Sequence, residues 1–250
     1  PEHRLPPDGR LKFTAYGRVI DVRVSSLPEI YGEKMVLRIL DRDALRVDMT
    51  EIGFRPAMLD DFQRVLKLPN GIVLLTGPTG SGKTTTLYSA LSYLRSPETN
   101  IQTVEDPVEY QLKGINQMQT RSEIDLTFAR ALRAILRQDP DVIMIGEMRD
   151  EETSRIAMQS ALTGHLVLST LHTNDSPSAF WRLRDIGIEP FLIAATMKLV
   201  LSQRLVRKLC EECKAESEPD HELLALLQSD RPDIDQWTFY KGVGCPKCRK

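Results

Sequence analysis

Neither sign of charge dominates this chain. Its 250 residues carry 33 Lys and Arg against 35 Asp and Glu, a formal net charge of −2 with a pI near 6.2. That balance disfavours a strongly basic nucleic-acid binder, and aromatics at 6% disfavour a protein that stacks single-stranded bases. Long hydrophobic runs are missing as well. Gly71 to Leu75 and Leu166 to Leu171 fall far short of the ~18–20 residues a membrane span requires. No charged-then-apolar leader opens the sequence, which starts at Pro1 and so reads as a fragment of something longer. Cysteine is absent before Cys210. What is present is a hydrophobic share of 41%, enough for a real core in one large domain or two small ones, at roughly 150 residues per domain.

Residues 1–48 read as β-rich. Ile20, Val22 and Val24 alternate with Asp21, Arg23 and Ser25, the period-2 pattern of a half-buried strand. A second strand is expected from Glu33 to Leu40, with Met35, Leu37 and Ile39 on one face, Arg38 on the other, and Pro28 and Gly32 bracketing the turn. The pattern then changes. Met58, Leu59, Phe62, Val65 and Leu66 fit one helix face. Strands are expected near 72–76, 101–105, 142–146 and 166–171, and helices near 83–94, 127–137, 151–163 and 190–202. Such alternation predicts an α/β domain with a parallel or mixed sheet flanked by helices.

The segment Gly77, Pro78, Thr79, Gly80, Ser81, Gly82, Lys83, Thr84, followed by Thr85, matches G-x-x-x-x-G-K-[ST]. Glycines let backbone N–H groups wrap phosphate oxygens, and the following helix aims its positive end at them. Lys83 would reach the β- and γ-phosphates and the Thr84 hydroxyl would bind Mg²⁺. An apolar strand before the loop and a helix-prone run after it satisfy the context the motif needs.

A nucleotide hydrolase also needs one carboxylate for the metal and one for water. Asp141 to Ile145 is an apolar strand followed by Gly146 and Glu147, so Glu147 would lie at the carboxyl edge of an open sheet, where ligands bind. The cluster Glu105, Asp106, Pro107, Val108, Glu109 follows another such strand, and His172 ends a third. His165, at the opposite end of that strand, is the weaker histidine.

Cys210, Cys213, Cys245 and Cys248 form two C-x-x-C pairs, which read as a zinc site before a disulfide. The gap between the pairs leaves room for a short helix, Leu223 to Leu227. Lys208, Lys214, Lys247, Arg249 and Lys250 flank the thiols and are expected to offset thiolate charge.

GPTGSGKTTT, TVEDPVEY, RQDPDVIMIGEMRD and GHLVLSTLHTN, in that order and followed by QRLVRKLCEEC and CPKC, resemble the secretion ATPase superfamily that drives type II secretion and type IV pilus assembly. The resemblance spans nearly the whole chain, and RLRDIGIEP and TFARALRAILRQDPD look closer to the type II secretion branch. It implies a RecA-like ATPase core over 49–207, a PAS-like N-terminal domain remnant and linker over 1–48, and a tetracysteine zinc subdomain over 208–250. It further implies a homo-hexamer on the cytoplasmic side of the inner membrane, working with an anchoring protein's cytoplasmic domain and a polytopic platform protein, and with no nucleic acid. By the same resemblance Glu109 is the water-activating base, Glu147 acts at Mg²⁺, His172 senses phosphate, and the N-terminal arginines Arg23 and Arg38 approach the nucleotide, with Arg149 a further candidate. The competing readings are a pilus extension ATPase, a nucleic-acid motor of the same class, and a nucleotide-gated scaffold that does not hydrolyse.

Overall fold

A computed structural model of the chain describes residues 8–15, 18–40, 48–228 and 231–248. The chain divides into two compact units, Pro1–Arg204 and Leu205–Lys250.

The first unit begins with an antiparallel sheet of β1 (Asp8–Ala15), β2 (Arg18–Glu29) and β3 (Gly32–Leu40), in that order. β1 does not stand out in the sequence pattern. The β2–β3 turn falls at Ile30 and Tyr31, and Pro28 lies inside β2 instead of bounding it. β1 pairs only as far as Ser25, so Pro28 meets β3 alone and its missing N–H costs the ladder little. Val22 is buried, whereas Met35, Leu37 and Ile39 are 57–66% exposed, not half-buried as the alternation suggests. Among the described residues this sheet is a single three-stranded layer, with no second layer over that face.

The core sheet has six parallel strands in the order β6-β5-β7-β8-β4-β9: β4 (Gly71–Thr76), β5 (Ile101–Glu105), β6 (Asn116–Gln119), β7 (Val142–Ile145), β8 (Leu166–Leu171) and β9 (Met197–Ser202). β4 shows why its run is continuously apolar. Val73 and Leu75 pack with α1 (Pro56–Leu66) and α2 (Lys83–Leu94) on one face. Ile72 and Leu74 pack on the other with α3 (Phe128–Ile135), α4 (Glu151–Leu162), α5 (Ser176–Asp185) and α6 (Pro190–Thr196). Successive strand residues point to opposite faces and both faces are covered, so Ile72 to Leu75 are all apolar.

One expected element divides. The helix expected over 190–202 stops at Thr196, and Met197–Ser202 becomes β9 beside β4. The run Met-Lys-Leu-Val-Leu fits either period, and the unpaired edge of β4 decides for strand. β6 (Asn-Gln-Met-Gln) gives no apolar signal because only one neighbour pairs it.

In the second unit β10 (Lys214–Glu216) pairs antiparallel with β11 (Tyr240–Gly242), and α7 (His221–Gln228) occupies the segment between the cysteine pairs.

Candidate active site

The glycine-rich loop leaves the carboxyl end of β4 and enters α2 through Gly82, whose φ of +88° requires glycine. Gly77, at φ +140°, is closely approached: a Cβ there would lie 2.3 Å from the Gln203 carbonyl oxygen and 2.7 Å from Ser81 Oγ. Gly80 faces open space. Ser81 Oγ is buried without a hydrogen-bond partner. Lys83 donates to the carbonyls of Gly77 and Pro78 at 2.8 and 2.9 Å. Burial lowers its pKa, and the Glu147 carboxylate works against that shift. Thr84 is exposed at the start of α2.

Glu147 follows β7 by two residues and is 9% exposed. The turn that carries it is tied to both neighbouring strands. Gly146 N–H donates to Val104 O at 2.8 Å, Thr170 Oγ1 to Gly146 O at 2.7 Å, and Met148 N–H to Thr170 O at 3.2 Å. Its carboxylate is paired with Arg149 and lies 3.2 Å from His172 Nε2. His165 instead places Nδ1 2.9 Å from the Ser160 carbonyl, a local tie at the start of β8.

The acidic loop after β5 separates its carboxylates by environment. Glu105 is 3% exposed and accepts from Thr103 Oγ1 at 2.5 Å, Gln117 Nε2 at 3.1 Å and the Tyr88 hydroxyl. Desolvation nevertheless raises its pKa. Glu109 is the reachable one: its side chain is 32% exposed and pairs with Arg23 Nη2 at 3.0 Å. Arg23 also donates to the Val108 carbonyl at 3.3 Å. Arg38 stands opposite Arg23 in register and lines the same hollow of about 530 Å³, together with Pro107.

The carboxyl ends of β4, β5, β7 and β8 and the loops after them therefore place the glycine-rich loop, Glu105, Glu109, Glu147 and His172 along one edge of the sheet. The four thiols lie in the second unit, with Sγ separations of 3.8 Å (Cys210–Cys245), 3.7 Å (Cys213–Cys248) and 3.7 Å (Cys245–Cys248). The flanking lysines do not all serve the thiols, since Lys214 pairs with Glu211 at 2.5 Å and Lys247 with Glu212. Arg249 and Lys250 lie outside the described residues.

The type II/IV secretion system protein family matches residues 1–250. The chain belongs to that family. It is 53% identical over 247 residues to the "Type II secretion system ATPase E" of Vibrio cholerae, covering 99% of this chain and 49% of that protein. It is 54% identical over 249 residues to the "Type IV pilus assembly ATPase PilB" of Myxococcus xanthus, covering 99% of this chain and 44% of that protein. The chain thus spans about half the length of the curated relatives it matches. Among solved structures it resembles the pilus retraction motor PilT with bound ADP, with a TM-score of 0.67 at 30% identity over 92% of this chain and 68% of that one.

Sequence reasoning about this family member missed Tyr88, Gln117 and Gln119. Tyr88 sits on a helix whose apolar content explains it as core, and the two glutamines sit on a strand without a pattern. Two glutamines two residues apart beside the acidic loop were the available signal.

Proposed function

We propose that the chain is the motor portion of a type II secretion ATPase that hydrolyses ATP to power protein export. The supporting observation is that the phosphate loop, Glu109, Glu147 and His172 follow β4, β5, β7 and β8, whose carboxyl ends share one edge of a parallel sheet. That is where open α/β sheets bind ligands.

In this reading Lys83 and the Gly77–Thr85 loop hold the β- and γ-phosphates of ATP. Lys83 exchanges its two carbonyl partners for phosphate oxygens. Glu109 takes a proton from the water that attacks the γ-phosphorus, the bond to the β-phosphate bridging oxygen breaks, and ADP and inorganic phosphate leave. Mg²⁺ held at Thr84 and Glu147 would neutralise charge on the β- and γ-oxygens. His172, beside Glu147, senses the γ-phosphate. Arg23, paired with Glu109, and Arg38, opposite Arg23 in register, bring positive charge toward it.

The working protein is a homo-hexamer at the cytoplasmic face of the inner membrane, engaged with an anchoring protein and a polytopic platform protein. Residues 1–48, 49–207 and 208–250 act as N-terminal remnant, motor core and zinc subdomain. The zinc reading rests on fit. A tetrahedral site with Zn–S of about 2.3 Å needs sulfurs roughly 3.8 Å apart; the Cys210–Cys245, Cys213–Cys248 and Cys245–Cys248 pairs stand 3.7–3.8 Å apart, and all four sulfurs lie within 4.8 Å of one another. Four protein thiolates make a closed, structural site.

The Myxococcus relative favours a second reading, a pilus extension ATPase, at 54% identity against 53% for the Vibrio protein. Phosphate release by the full-length protein tests the shared chemistry. Turnover should rise with protein concentration as subunits assemble, vanish in Lys83→Ala, and ignore added DNA. Turnover equal to that of Lys83→Ala would leave a nucleotide-gated scaffold. Restoring secretion or piliation in a strain lacking its own ATPase separates the branches.

A further inference from the structure

The acidic loop 106–112 is not free to set its own position. Its backbone groups are taken up one by one from the side chains of two other elements. The Val108 N–H donates to Gln119 Oε1 at 3.3 Å, and the Leu112 N–H donates to Gln117 Oε1 at 2.6 Å. Gln117 Nε2 donates to the Tyr110 carbonyl at 3.2 Å. The Glu109 N–H itself lies 3.3 Å from the Tyr88 hydroxyl, which accepts it. Tyr88 belongs to α2, the helix that opens with Lys83, and its ring meets that of Tyr110 edge-on at a centroid distance of 4.6 Å.

Two of these three side chains, Tyr88 and Gln117, are themselves fixed. The Tyr88 hydroxyl donates to Glu105, and Gln117 Nε2 reaches the other Glu105 oxygen at 3.1 Å. Tyr88 is wholly buried and Glu105 nearly so. A buried carboxylate without a catalytic contact costs stability unless it is paired. Here it anchors two of the three groups that hold the loop.

We infer that Tyr88 and Gln117 are positioning residues, anchored on Glu105, that hold Glu109 at a fixed place relative to the phosphate-binding helix. Glu109 then follows α2 whenever nucleotide shifts that helix. The inference rests on Glu109 being the base. Burial raises the pKa of both groups, so the Tyr88 hydroxyl keeps its proton and donates it to Glu105 while Glu109 works.

The test is a double-mutant cycle in the full-length protein, reading kcat and KM for ATP, ADP affinity and the melting curve. Tyr88→Phe keeps the ring and removes the hydroxyl; Gln117→Leu keeps the volume and removes the amide. Each should lower kcat about 10- to 100-fold, as small misplacements of a reacting group do, with KM, ADP affinity and cooperative melting retained. In a Glu109→Gln background neither should cost more than about twofold, because the clamp acts only through Glu109. Wild-type kcat in both variants beside a slow Glu109→Gln would overturn the clamp alone. So would losses that multiply fully onto Glu109→Gln, or a rise in KM in place of a fall in kcat. Wild-type turnover in Glu109→Gln itself would instead remove the base assignment beneath it.

Discussion

Glu147 and Glu109 have different surroundings, and the difference predicts how their variants fail. Glu147 is enclosed by Arg149 and His172 and contributes no atom to the phosphate cradle. Glu147→Ala should therefore retain nucleotide, measured by binding of a fluorescent analogue, while phosphate release stops. Gly77→Ala should lose binding itself, because the new methyl would meet the Gln203 carbonyl at 2.3 Å. Glu105 supplies a pH signature. Its pKa is raised by burial above 4.5, with Glu109 adding to the shift, while the Thr103, Tyr88 and Gln117 hydrogen bonds pull it down. A carboxyl raised in the folded state keeps its proton there after the unfolded chain has lost it. Stability therefore falls as pH rises from about 4.5 through the folded value, and the penalty is constant above it. Denaturant titrations should show Glu105→Gln gaining on wild type across that window; parallel profiles would contradict the shift.

At the level of elements, the strands and helices that frame the site were legible because each follows a single period. β4, β5, β7 and β8 are short apolar runs with loops at both ends, and α2, α3 and α4 begin close to where the pattern places them. β9 and β6 were not legible, for opposite reasons. The first carries an apolar run that suits either period, and the second is a polar edge strand whose glutamines serve the acidic loop. The arginine ladder of β2 and β3 could be placed on a strand face, but only the fold puts Arg23 at Glu109. Caps are local and testable. Asp150 accepts the Thr153 N–H at 2.8 Å and its hydroxyl at 3.0 Å at the start of α4, three residues after Glu147. Asp150→Ala should lower unfolding free energy by about 1 kcal/mol in urea melts. No change would mean that α4 is held by packing alone.

On the scale of the whole molecule, two separate units invite separate tests. In the second, burial and the neighbouring thiols push the Cys213 thiol up to about 11 without metal. Zinc must then displace protons to bind, so affinity should fall as pH is lowered. Elemental analysis should find one zinc per chain. A strong chelator should unfold the Leu205–Lys250 unit while the parallel sheet keeps its circular dichroism; metal-free protein with an intact second unit would remove the structural site. In the first unit, the arginines pose a question of geometry between subunits. Mixing full-length Arg23→Ala/Arg38→Ala protein with Lys83→Ala protein should partly restore hydrolysis if the arginines act across a subunit boundary. Full activity of the double arginine variant alone would exclude them from the chemistry.

The central claim is that this strand-end edge hydrolyses ATP with Glu109 as the base. Steady-state phosphate release by full-length Glu109→Gln tests it most directly, compared with wild type and with Glu105→Gln. The account predicts that Glu109→Gln turns over about 10²-fold or more slowly than wild type with nucleotide binding retained, the loss given for a missing general base, and that Glu105→Gln is less impaired. A Glu109→Gln protein as fast as wild type beside an inactive Glu105→Gln would contradict it.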